Sequence, residues 1–182
     1  MNTLQAMMTR LVQMTALMGL ALGAGAQAAS RPAVPDTLKA PAAEQVVLLA
    51  HASGAQIYVC GQMTAGNPSW ALEAPEAQLW DPQGALIGRH YAGPTWKHND
   101  GSEVSGKAAA HVDSPDASAI PWLRVTATGH SGSGILSRVT TIQRINTHGG
   151  QPPSAADCTM ATLGHHTKSA YTADYYFYAP AK

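Results

Sequence analysis

Turn-forming residues interrupt this chain so often that, past its first 28 residues, no helix of useful length fits between them. Seventeen glycines and twelve prolines are spread over 182 residues. Inside a helix each glycine costs roughly 1 kcal/mol and each proline roughly 3 kcal/mol relative to alanine. What lies between them is short and rich in β-formers: residues 56–60, 85–91, 120–127, 137–147 and 171–178. The apolar run 46–50 stops at Ser53-Gly54, so with 56–60 it reads as a hairpin. Pro75 removes a ladder donor from the stretch 70–80, which then reads as two short strands or one bent edge strand. Asp81-Pro82-Gln83-Gly84 carries type I turn preferences. Asp100-Gly101, between 95–98 and 103–112, is a hairpin signal. A loop is expected at 114–118, a Gly/Ser turn at 129–134, and one or two helical turns within 155–163. The fold class that follows is all-β: a single-domain sandwich or barrel of short antiparallel strands.

The first 28 residues have a different character. Arg10 precedes the apolar run 11–22, and Ala26-Gln27-Ala28 follows as a small-residue cleavage site. This is the pattern of a signal peptide, too short to span a bilayer as a helix. Cleavage after Ala28 would leave roughly 150 residues, enough for one domain with its own core. Residues 29–43, with Pro32, Pro35 and Pro41, read as an extended Pro/Ala-rich lead-in, and 44–182 as the β domain. The expected location is periplasmic or secreted. Eleven basic residues balance eleven acidic ones, so neither nucleic acid nor an anionic membrane surface is expected as a partner. Nothing specifies an oligomeric state.

Cys60 and Cys158 are the two cysteines of the chain. In an exported protein the simplest expectation is that they pair. Such a bridge closes a long loop, worth about 4–5 kcal/mol on the chain-entropy model.

Taken together, residues 56–60, Pro75-Glu76-Ala77, Ala92-Gly93-Pro94-Thr95-Trp96, Asp100-Gly101-Ser102, Ile120-Pro121-Trp122-Leu123, Ile142-Gln143-Arg144, Gly149-Gly150 and the Tyr-rich closing strand resemble the family called domain of unknown function 3455. The resemblance runs from about Pro35 to Tyr178. It implies an exported bacterial or fungal protein, and it implies no reaction and no catalytic residues.

Motifs of known chemistry are weak here. Residues 132–137 fail the dinucleotide pattern at its last glycine and lead into a strand. Residues 129–133 lack the final glycine of a nucleophile elbow and join two strands, where that motif needs a strand-to-helix turn. Eight histidines invite a metal, yet they form no H-x-H or H-x-x-x-H pair, and adjacent His165 and His166 point to opposite faces of a strand. No metal and no other cofactor is expected. The densest collection of chemical groups is residues 91–102. Gly93 and Pro94 form a turn, Trp96 offers a flat apolar face, Lys97 and His98 add donors, and Asp100 closes a hairpin. These six are the candidate ligand-binding residues. Of the four tryptophans, Trp122 reads as core and Trp96 as a site residue. The expected function is binding of a small molecule, glycan or envelope partner. The alternatives are a hydrolase using His98 with Asp100 or Glu103, and a purely structural envelope or stress protein.

Overall fold

The computed structural model describes residues 29–62 and 66–181; the signal-peptide reading of 1–28 lies outside them. Eight antiparallel strands follow one another around a closed barrel: β1 (Glu44–Gln62), β2 (Pro68–Trp80), β3 (Leu86–Tyr91), β4 (Thr95–His98), β5 (Glu103–Val112), β6 (Trp122–Ser131), β7 (Thr141–Gly149) and β8 (His166–Pro180). Each strand pairs with its neighbours in sequence, and β8 returns to pair with β1. Of sandwich and barrel, the chain forms the barrel, in which every strand has a neighbour on both sides over at least part of its length. Short 3-10 turns at Asp36–Leu38, Ala155–Asp157 and Met160–Thr162 are the helical elements of the described residues. None is long and apolar enough to cross a membrane.

The turns fall where the sequence places them at two points. Asp81 accepts from Gly84 N through its carbonyl and from Gln83 N and Ala85 N through its side chain, closing β2–β3. Gly101, at φ 93°, closes β4–β5. The expected hairpin at Ser53-Gly54 does not form: β1 runs straight through both residues. Gly54 is a close-approach glycine rather than a turn residue. A Cβ there would stand 2.1 Å from the carbonyl oxygen of Glu76 and 2.7 Å from the Ala77 Cβ, on the neighbouring strand.

Alternate residues of each strand fill the interior. Ala50, Leu79, Val104, Leu136, Val139, Ile142 and Phe177 pack together with Trp96 and Tyr175 in one core. The lead-in is not a free linker. Leu38 is fully buried, and Gln143 Nε2 donates to its carbonyl at 2.6 Å. Ala40 packs on Val46 and Tyr178, and the Arg31 guanidinium sits over the Tyr178 ring at 5.3 Å. This strap covers the outer side of β7 and β8, which is why Phe177 and Tyr178, neighbours pointing to opposite faces, are both buried.

The disulfide Cys60–Cys158 is present, joining the end of β1 to the long β7–β8 connection.

Candidate functional site

One strand pair is much shorter than its surroundings, and that shapes the site. β2 pairs with β3 only from Ala77 to Trp80. β4 pairs with β5 only from Thr95 to Lys97. Both β2 before Ala77 and β5 after Gly106 therefore run on without a neighbour on that side. Between them, beyond the Gly93-Pro94 turn, the wall has a window. Pro75 lies opposite Gln56 of β1 and has no neighbour on the β3 side, the kind of strand position that tolerates proline. Where the sequence reads two short strands or one bent edge strand, the chain forms one continuous strand, Pro68–Trp80, without a neighbour on its β3 side before Ala77.

The window opens into a cavity of about 210 Å3 inside the barrel. Its rim is apolar: Leu72, Pro75, Pro94 and Ala108. Leu72 is 56% exposed there. Its deeper wall is polar and aromatic: Gln56 from β1, His90 from β3, Trp96 from β4, Arg144 from β7 and Tyr175 from β8. Register explains the convergence. His90 lies opposite Trp96 and Ala77, and Arg144 lies opposite Tyr175 and Leu123, all on the inward face.

The aromatic groups are locked. The His90 ring stacks on Trp96 at 4.3 Å between centroids and 6° between planes. Tyr175 meets both rings edge-on. His90 Nδ1 donates to the carbonyl of Thr95 at 2.9 Å. Burial pushes the His90 imidazole down to about 3, against the Thr95 hydrogen bond that favours the charged form; the positive charge of Arg144 lowers it further. His90 is thus neutral at ordinary pH. Burial also raises the hydroxyl of Tyr175, while Arg144 beside it pulls the other way.

Two buried donors on this wall have no hydrogen-bond partner among the described residues: Trp96 Nε1 and Gln56 Nε2. Each residue is only 2% exposed. A buried polar group left unpaired costs about 1–3 kcal/mol, so such pairs of orphans mark a place where an acceptor belongs. Arg144 donates through Nε and Nη2 to the carbonyl of Pro121. The ion pairs of the described residues involve three lysines and four histidines, and Arg144 is in none of them.

The six residues singled out in sequence separate in space. Pro94 and Trp96 line the cavity. Gly93 is an exposed turn residue with φ 95°. Lys97 points outward and pairs with Glu103 at 2.5 Å. His98 and Asp100 sit at the far end of β4, 3.1 Å apart. There Asp100 is a turn hub. Its carboxylate accepts from Ser102 N and Ser102 Oγ and, across the barrel end, from Ile135 N. Partial burial would raise its carboxyl, but the bonds from Ser102 and Ile135, with His98 nearby, outweigh that and hold it far below the usual range. The other histidines do not gather: His51 contacts Asp174, His148 contacts Asp116 and His166 contacts Glu73. Gln56, His90, Arg144 and Tyr175 were not singled out as site residues in the sequence. Arg144 alone had a signal: it lies in the alternating stretch 137–147, whose two faces both mix apolar and polar residues, as a strand with a polar interior wall would.

A family model described as "Protein of unknown function (DUF3455)" matches residues 41–179. The chain belongs to this family. The match covers the barrel from the strap's end to the last turn of β8, so every cavity residue of this DUF3455 protein lies inside the family domain. No curated protein and no solved structure matches the chain.

Proposed function

We propose that this DUF3455 protein is an exported, non-enzymatic barrel that binds a small molecule in the chamber behind the β2–β5 window. The observation that carries this reading is the pair of orphaned donors, Trp96 Nε1 and Gln56 Nε2, lining one cavity with an apolar rim. Natural cores rarely leave two such groups unpaired on the lining of one cavity. The cavity, at about 210 Å3, is smaller than sites for drug-sized ligands, roughly 300–1,000 Å3. That size favours a compact molecule over a glycan chain or a protein partner. The disulfide supports an oxidising location, periplasmic or extracellular. The hydrolase reading draws less support, because Asp100 is already engaged by three donors in its turn.

The test is a ligand-observed NMR screen of small organic compounds against the native protein and Ala108→Phe. Ala108 is exposed at the rim, so a phenyl group there should plug the window without disturbing the core. Binders of the native protein should be lost in Ala108→Phe, with the far-UV circular dichroism unchanged. A screen without binders, or binders indifferent to the plug, would overturn the reading.

A further inference from the structure

We propose that the chamber's ligand is a small organic carboxylate, its charged end against Arg144 and its apolar part toward the window. This rests on the reading of the chamber as a small-molecule site and adds the chemical class of its occupant.

Charge is the first reason. Arg144 enters the barrel wall on the inward face of β7, opposite Tyr175. Among the described residues the guanidinium donates to the Pro121 carbonyl and lies beside the Tyr175 hydroxyl, both neutral groups. A guanidinium carries five N–H donors and no acceptor, and it does not lose its proton. Its field reaches His90, Tyr58, Tyr171 and Tyr175, and on each it favours the form with less positive or more negative charge. A cation partly withdrawn from water and without a counter-charge is costly, and a bound anion offsets that cost.

The second reason is the polarity of the orphans. Both fully buried side-chain atoms of the chamber that lack a partner among the described residues are donors. An ionised carboxylate is acceptor-only, with two oxygens and about four lone-pair sites. It can take a charge-assisted bond from Arg144 and still accept from Trp96 Nε1 or Gln56 Nε2. His90, held neutral by burial, contributes no second positive charge. One cation matches one carboxylate better than a dianion.

The third reason is the apolar rim. Leu72, Pro75, Pro94 and Ala108 offer nothing to a wholly polar ion. An inorganic anion would satisfy Arg144 and leave the rim uncovered; a carboxylate with a hydrocarbon or aryl group covers both.

The experiment compares matched pairs on the full mature chain: benzoate with benzamide, cyclohexanecarboxylate with its amide, and hexanoate with hexanamide, with inorganic phosphate as a further probe. The readout is the indole N–H resonances in 1H–15N spectra, assigned through single Trp→Phe variants. The acids should move the Trp96 Nε1–H resonance and bind about tenfold tighter than their amides, the scale of one charge-assisted contact. Arg144→Gln should abolish that preference and leave amide affinity within about twofold, and Arg144→Lys should restore part of it. Should Arg144→Gln fail to fold, the acid-to-amide ratio of the native protein decides alone. Amides binding as well as acids would overturn the carboxylate while leaving the small-molecule site standing. Phosphate binding as tightly as the acids would overturn the organic part. No shift from any compound would overturn the carboxylate and the site together.

Discussion

Trp96 is both core and lining. It is 2% exposed, stacks on His90, and meets Tyr175 and Phe177 edge-on. The sequence reads this side chain as a site residue; in the barrel the ring packs in the core and also lines the cavity. Trp96→Ala should therefore cost about 3–5 kcal/mol in urea unfolding, and a change under about 1 kcal/mol would contradict its burial. His90 carries a separate prediction. Its proton is taken up at 6.5 in the unfolded chain and at about 3 in the fold. Between those values the unfolded state holds more protons, so stability must fall as pH drops through that window. The slope from this residue is at most about 1.4 kcal/mol per pH unit. Unfolding measured from pH 7 to pH 5 should show it, and His90→Phe should flatten it; an unchanged slope would place the acid sensitivity elsewhere. Asp100, with its carboxyl held low, begins to lose stabilisation about one unit above its unfolded 3.8, so the His90 slope is read between pH 7 and pH 5.

Strand by strand, the turns that rest on local chemistry were readable in the sequence. Asp81-Pro82-Gln83-Gly84 and Asp100-Gly101 encode their own hydrogen bonds, and both are turns. Gly54 was misread because its reason is not local. Alone, Ser53-Gly54 after an apolar run looks like a turn; paired, it is where β1 comes too close to Glu76 and Ala77 for a side chain. The same blindness hid the site. Gln56, His90, Arg144 and Tyr175 come from four strands, and only the closing of the ring brings them into one cavity. Trp96 stood out because a tryptophan is conspicuous wherever it stands, and Trp122, read as core, is partly buried with its Nε1 fully so. Two glycines of one strand make a test of the close approach. Gly54→Ala should destabilise by about 1–3 kcal/mol through overpacking. Gly61→Ala, with nothing within 4 Å of its new Cβ, should be near neutral or slightly stabilising. Equal effects on the melting temperature would remove the packing explanation.

As a whole the molecule is a ring held at one end by a covalent link. The bridge joins residues 98 apart in sequence, so reduction should loosen the unfolded chain by about 4–5 kcal/mol on the entropic model. The Cys60→Ala/Cys158→Ala double variant should show a loss of that order in chemical unfolding, and a loss below about 1 kcal/mol would mean the barrel holds its shape without it. The longest ladder of the ring is between its first and last strands, running from Glu44 opposite Pro180 to Val59 opposite His166. The chain therefore makes β1 first and the strand that completes it last. Until β8 arrives, a 19-residue strand carrying Val46, Val47, Leu48 and Leu49 has a bare edge, open to pairing with another copy of itself. Its vulnerability is one of timing. The finished ring covers that edge, yet until the last strand is made the strand with the longest ladder is left without the partner that completes it.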